Sequence, residues 1–274
     1  MTLAEAVLCG IIQGLAEFLP ISSSGHLAIV HSFFRMEGSQ GSLAFDLLLH
    51  LGTLIVVFVF YHKDIFSLIP AFFTMTGKVI RGKIRFSEWS KEERFVLLLI
   101  VATVPLTAAL FLEDQVERVS SYPRAVGVIL ILNGLLLLLA DRMAKKKRAY
   151  PLTKRSAFGI GVFQLAAILP GLSRSGSTIS GGLLFGLSRE EAVRFSFLMS
   201  VPAILGANVM HIPSVFETPV ARAELGYYLI GMAISMVVGF CAMKFLIYIS
   251  KRSRFGSFAY YCMAMGLLTA MLAS

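Results

Sequence analysis

The chain has 274 residues, of which 57% are hydrophobic and only 15% charged, with a mean hydropathy of +0.78 and a net charge of +9. A soluble domain carries roughly a quarter charged residues, so too little polar surface is left to face water, and lipid is the expected solvent. The basic excess argues against a nucleic-acid partner, because it is confined to inter-span regions that alternate with acidic ones, the positive-inside pattern of a membrane protein.

In chain order, residues 3–19 form a short apolar helix interrupted by the polar Glu5, Gln13 and Glu17. The segment has no basic leader and does not read as a cleavable signal peptide. Pro20 breaks it, and a polar island follows, Pro20-Ile21-Ser22-Ser23-Ser24-Gly25-His26. Residues 44–61 are the first stretch near the roughly 20 apolar residues that span a bilayer. Residues 66–94 read as an interfacial helix and a basic loop that carries Lys78, Arg81, Lys83, Arg85 and Arg94. Spans at 95–112 and 125–140 flank an acidic segment with Glu113, Asp114 and Glu117.

The second half opens on a basic linker at 142–155, with Lys145, Lys146, Lys147 and Arg148 at its centre. A second short apolar helix, 157–169, is broken by Pro170, and a second island follows, Pro170-Gly171-Leu172-Ser173-Arg174-Ser175-Gly176-Ser177-Thr178. Arg189, Glu190, Glu191 and Arg194 cap the next span and mark its cytoplasmic end. Spans at 195–210, 225–249 and 258–272 complete the chain. Cys9, Cys241 and Cys262 lie far apart in apolar sequence and read as small packing residues, with neither a disulfide framework nor a metal cluster.

The two islands are near-copies. Gln13 to Gly25 aligns without a gap on Gln164 to Gly176, pairing Gln13 with Gln164, Ser22 with Ser173, Ser24 with Ser175 and Gly25 with Gly176. Charge patterning gives each half an odd number of spans, which inverts the second half relative to the first. The expected fold is therefore an all-α polytopic membrane protein with an inverted-topology repeat, about six transmembrane helices and two re-entrant helical hairpins whose tips meet near the midplane. It is read as one integral membrane domain, with repeat 1 at about 1–141 and repeat 2 at about 155–274.

The islands also carry the candidate chemistry. Gln13 and Glu17 are four residues apart on one helical face, and a carboxylate inside an apolar helix is by default functional, with a partner to be named. Each island opens a helix, so free N–H groups and a positive dipole end point at whatever sits there. Ser22, Ser23, Ser24 and His26 add donors, a nucleophile and an acid or base. Arg174 is suited to planar, bidentate grip of phosphate and serves equally as a partner for Glu17. A phosphate or diphosphate with a divalent cation is the favoured guest, and oxygen donors suit Mg²⁺ or Ca²⁺ better than zinc. Apolar helices around the site would let a lipid-tailed substrate enter from the bilayer. Asp46 and His50 could line the cavity or lie at the interface.

Gln13-x-x-x-Glu17, the segment from Pro20 to His26 and the segment from Pro170 to Thr178 resemble the bacterial undecaprenyl-pyrophosphate phosphatase family linked to bacitracin resistance. The resemblance implies an inner-membrane enzyme that hydrolyses undecaprenyl diphosphate to the monophosphate, recycling the lipid carrier of peptidoglycan synthesis. It implies a homodimer with its site open to the periplasmic side. By position, Glu17 would be the essential acid and metal ligand, and Ser23 or His26 the nucleophile or proton donor. Arg174, Ser173 and Thr178 would hold the diphosphate, with Gln13, Ser22, Ser24, Gly25, Ser175 and Gly176 completing the binding set. Many members have Glu where this chain has Gln13, which leaves Glu17 as the principal carboxylate. A transporter or flippase of a phosphorylated lipid is the rival reading, because broken helices meeting at midplane also serve carriers.

Overall fold

The computed structural model describes residues 1–34, 43–82, 88–144, 149–217, 222–251 and 255–272. The basic residues at 145–148 and Lys83 and Arg85, counted above as topology signals, lie outside them. The helices are α1 (Leu3–Phe18), α2 (Ser23–Phe34), α3 (Leu43–Ile80), α4 (Lys91–Thr103), α5 (Glu113–Ser120) and α6 (Pro123–Ala144) in the first half. The second half holds α7 (Lys154–Ala166), α8 (Arg174–Leu184), α9 (Arg189–Glu217), α10 (Arg222–Lys251) and α11 (Gly256–Leu272). There is no strand among the described residues. Five helical stretches are long and apolar enough to cross a bilayer, and α11 adds a shorter apolar helix of 17 residues. The chain is a multi-pass, all-helical membrane protein.

Local chemistry sets the helix ends. Thr2 and Glu5 form a capping box at α1, and Ser90 and Glu93 form another at α4, each side chain satisfying an amide that has no partner within the helix. Pro20 and Pro170 follow α1 and α7 within a few residues, because proline has no N–H to continue the ladder.

The first span ends at 61 as read: non-helical dihedrals at Tyr61 (φ −113°, ψ 22°) break α3 there, and a second helical segment runs on to Ile80, packing Ala71 and Met75 against Trp89 and Val96. One element differs from its sequence reading. The stretch read as one span over 95–112 is an α-helix only to Thr103 and then a 3₁₀ helix, Val104–Phe111. Pro105 removes an amide from the α-helical ladder there, and the tighter turn absorbs the loss.

Packing follows small residues, as expected where lipid is no less apolar than the core. α1 lies against α10 so closely that a Cβ on Gly14 would fall 2.7 Å from the Ser235 carbonyl. The Met1 amino group fixes the same pair of helices, donating to Glu224 Oε1 at 2.7 Å. α6 packs on α11, and both α1 and α6 present residues toward α8. At the opposite end of α9, Arg189 donates to Asp141 Oδ1 at 2.7 Å and Arg194 pairs with Asp64. These arginines tie the start of α9 to α6 and α3.

Candidate active site

The two islands meet backbone to backbone. A Cβ on Gly25 would stand 3.0 Å from Cα of Gly171, so only glycines allow the approach. Gly171 also takes φ 104°, a conformation that disfavours any side chain. Ser22 is the sole non-glycine residue described with a positive φ, 71°. Its strained turn aims Oγ at two amides, accepting from Gly25 N and from Gly171 N at 3.2 Å each. One bond caps α2 and the other crosses to the second island.

Asn133, fully buried in the apolar span α6, closes the clamp. Its Nδ2 donates to the Pro20 carbonyl at 3.0 Å, and its Oδ1 accepts from Ser173 N at 3.1 Å. One side chain thus satisfies a buried backbone group from each island. Ser173 caps α8, accepting from Gly176 N at 3.1 Å.

Below this junction lies a pocket of about 380 Å³ lined by Glu17, Ser23, Ser24, Asp46, His50, Gln164, Ser173, Arg174 and Asn208, with apolar walls from α9 and the 3₁₀ segment. Glu17 is 7% exposed and is the hub of its polar contacts. Arg174 donates to its Oε1 across the island junction. Ser23 Oγ donates to its Oε2 at 2.8 Å, and Gln13 Nε2 donates to the same oxygen at 3.2 Å. His50 Nε2 stands 3.8 Å from Oε2 while its Nδ1 faces the Asp46 carbonyl at 2.9 Å. A buried carboxylate with a partly buried guanidinium neutralises two charges that are costly alone in an apolar bundle.

Of the residues proposed from sequence, Glu17, Ser23, Ser24, Ser173 and Arg174 line the pocket. Gln13, Ser22, Gly25, Ser175 and Gly176 sit behind it and shape the junction. Thr178 turns its hydroxyl to the Arg174 carbonyl at 2.8 Å and to Ser196 Oγ at 2.6 Å, facing α9 instead of the cavity. His26 also faces elsewhere. Its Nδ1 meets the Ser22 carbonyl at 2.8 Å, its Nε2 meets the Tyr261 hydroxyl at 2.9 Å, and its ring stacks on Tyr261 with centroids 5.6 Å apart. Sequence reasoning left Asp46 and His50 undecided and passed over Gln164, Asn133 and Asn208. The signals were there for two of them, since Gln164 is the repeat partner of Gln13 and Asn133 is a lone amide within an apolar span.

The oxygen donors present fit a hard divalent cation. Glu17 supplies one carboxylate, and Gln13 Oε1 is buried without a hydrogen-bond partner. Among the described residues no cluster of three or more His, Cys, Asp or Glu side chains forms a protein-only cage. Such a sparse set would leave most of an ion's coordination to other oxygen ligands, as Mg²⁺ commonly does.

A buried acid, a serine hydroxyl on that acid and an arginine at a helix start, enclosed by apolar helices, make a membrane-protein pocket suited to a phosphate-like anion. Sequence comparison narrows the class. The chain belongs to the bacitracin resistance protein BacA family, whose model matches residues 6–268. A relative from Rubrobacter xylanophilus named undecaprenyl-diphosphatase is 41% identical over 275 residues, covering 99% of this chain and 98% of its own. Proteins of the same name from Rhodopirellula baltica and Methanosphaera stadtmanae are 38% and 35% identical, each alignment covering 98% of the relative and 98% and 99% of this chain.

Proposed function

We propose that this chain hydrolyses undecaprenyl diphosphate to undecaprenyl phosphate and inorganic phosphate in the pocket between the two islands. The activity is the one its relatives are named for. The observation that carries the placement is Ser23 Oγ held 2.8 Å from the buried Glu17 carboxylate, with Arg174 on the other carboxylate oxygen. A carrier needs a binding site but no activated hydroxyl, so this arrangement favours the hydrolase over the flippase reading.

In the proposed sequence, the terminal phosphate enters beside Arg174, which shifts its guanidinium from Glu17 to non-bridging phosphate oxygens. Glu17 is then free to accept a proton from Ser23 Oγ, or from a water in its place. The oxygen attacks the terminal phosphorus, a new P–O bond forms, and the bond to the bridging oxygen breaks. Undecaprenyl phosphate leaves with that oxygen. If Ser23 attacked, water then hydrolyses the phosphoserine and the hydroxyl is restored. Island amides at the starts of α2 and α8 stabilise the charge that develops on the phosphoryl oxygens. A divalent cation, Mg²⁺ or Ca²⁺, held by Glu17 with Gln13 Oε1 would neutralise diphosphate charge. His26 acts through the first island by holding the Ser22 carbonyl; direct proton transfer by His26 would require its ring to leave Tyr261.

The lipid tail has a place to lie. An apolar groove of about 650 Å³ runs beside the pocket, between the far end of α3, α4, the 3₁₀ segment and α9. The two cavities share walls: Leu106 and Ile204 face the pocket, while Val104, Val201 and Leu205 face the groove. Among the described residues, the hydroxyls on the groove, Thr103 and Thr107, donate to the Leu99 and Val104 carbonyls at 2.8 Å each, leaving a hydrocarbon surface. We assign the prenyl chain to it.

The matching order of a short helix, an island, a short helix and a long helix in each half supports the inverted repeat, with halves at about 1–141 and 155–274 forming one domain. The charge pattern and the resemblance support an inner-membrane location with the pocket open to the periplasmic side, and the resemblance supports a homodimer. The test is phosphate release from undecaprenyl diphosphate by the purified protein with Mg²⁺, with Ca²⁺ and with chelator. Cation-dependent release is expected; no release with any cation would overturn the reading.

A further inference from the structure

Gln164 is buried in α7 at 2% exposure, it borders the pocket beside Arg174 and Ser173, and neither its Nε2 nor its Oε1 has a hydrogen-bond partner among the described residues. A buried amide with both ends unfilled is a costly arrangement, tolerated where a ligand or ordered water completes it. Its repeat partner Gln13 shows the contrast. Gln13 is equally buried, yet its Nε2 is engaged by Glu17 at 3.2 Å. The second half has no carboxylate matching Glu17, because Ile168 stands at the corresponding position. Gln164 is therefore left facing the cavity.

A second unfilled donor borders the same cavity. Arg174 Nη1 is buried without a partner while Nη2 holds Glu17. Two unfilled N–H donors on one small pocket call for a ligand rich in acceptor oxygens. We infer that Gln164 is a substrate-binding residue whose Nε2 donates to a non-bridging oxygen of the diphosphate beside Arg174. This inference rests on the proposed hydrolase reading and extends it. A neutral amide adds grip and direction without another positive charge, so it helps hold the diphosphate without trapping the product phosphate.

The test compares wild type with Gln164→Leu and Gln164→Glu, all in the same detergent. It reads KM and kcat on undecaprenyl diphosphate, and the thermal midpoint with and without inorganic pyrophosphate. Leucine nearly matches the shape of glutamine and carries no unfilled polar atoms, so the ligand-free midpoint is expected to hold or rise. KM is expected to rise ~10-fold or more, the loss of one hydrogen bond to a charged group, and the pyrophosphate-induced midpoint shift to shrink strongly. Glutamate should impair binding further through repulsion of the diphosphate.

Unchanged KM with a full pyrophosphate shift in Gln164→Leu would overturn the assignment. So would a fall in the ligand-free midpoint with activity lost in proportion, which marks a purely structural residue, and so would the absence of any pyrophosphate shift in wild type, which leaves pocket water as the only partner. A Gln164-dependent pyrophosphate shift in a wild type that hydrolyses nothing would sink the hydrolase reading and leave this contact standing.

Discussion

Glu17 and Arg174, 157 residues apart in the chain, form a partly buried ion pair that bridges the two islands at the wall of the pocket. Each is the other's main compensation for lying inside an apolar bundle, and each faces the cavity where substrate enters. On the proposed reading the pair has two jobs, holding the junction while the pocket is free of substrate and supplying a base and an anion clamp once substrate binds. Stability and turnover should therefore respond differently to its removal.

Arg174→Ala leaves a buried carboxylate unpaired, and removing one partner of such a pair costs about 3–5 kcal/mol. Replacing both as Glu17→Leu with Arg174→Leu substitutes packed apolar side chains and should recover most of that loss. Thermal midpoints of the single and double variants in one detergent check this; a double variant no more stable than Arg174→Ala would show that the junction depends on more than the pair.

In the proposed mechanism Ser23 decides how the phosphorus is attacked. With Ser23 as nucleophile, Ser23→Ala should lower kcat on the order of 10³-fold or more. Mass spectrometry of acid-quenched wild type should then recover phosphate on Ser23. A variant retaining a tenth of the rate, with no phosphoserine in wild type, would assign the attack to water.

Asn133 predicts an effect at a distance from the chemistry. Asn133→Ala strands the buried Ser173 amide, at about 1–3 kcal/mol, and leaves the Pro20 carbonyl only the weak Cys262 thiol donor at 3.6 Å. The thermal midpoint should fall and kcat should drop with it, since a small misplacement of reacting groups costs rate steeply. A wild-type midpoint for Asn133→Ala would contradict the clamp.

Filling the groove tests the lipid assignment. Leu205→Trp and Val104→Trp add bulk where both side chains are already half exposed to the bilayer, so folding should be little affected. Each buried CH₂ contributes roughly 0.8 kcal/mol, and displacing part of a prenyl chain should raise KM for the C55 substrate ~10-fold. Farnesyl diphosphate, too short to fill the groove, should be hydrolysed at nearly the wild-type rate. Equal effects on both substrates would move the tail elsewhere.

Much of this was legible in the sequence because charge and backbone breaks are expensive in lipid. Glu17, Arg174 and the two proline-terminated helices stand out against apolar sequence on composition alone, and their repeat pairing brings them to one place. What was not legible depends on packing direction. His26 follows the serine island closely, yet the rotation of α2 turns its ring to Tyr261 on α11, a contact no local spacing predicts. The switch to a 3₁₀ helix at Pro105 depends on how α4 meets its neighbours. Asp46 and His50 line the pocket only because α3 packs beside α1.

The central claim is that diphosphate is hydrolysed where Glu17, Ser23 and Arg174 converge. The most direct measurement is single-turnover phosphate release from undecaprenyl diphosphate, comparing wild type with the Glu17→Leu, Arg174→Leu double variant after both are shown folded by thermal unfolding. Release by wild type and none by a folded double variant is the predicted result. Release by the double variant at a rate near wild type would place the chemistry elsewhere in the molecule.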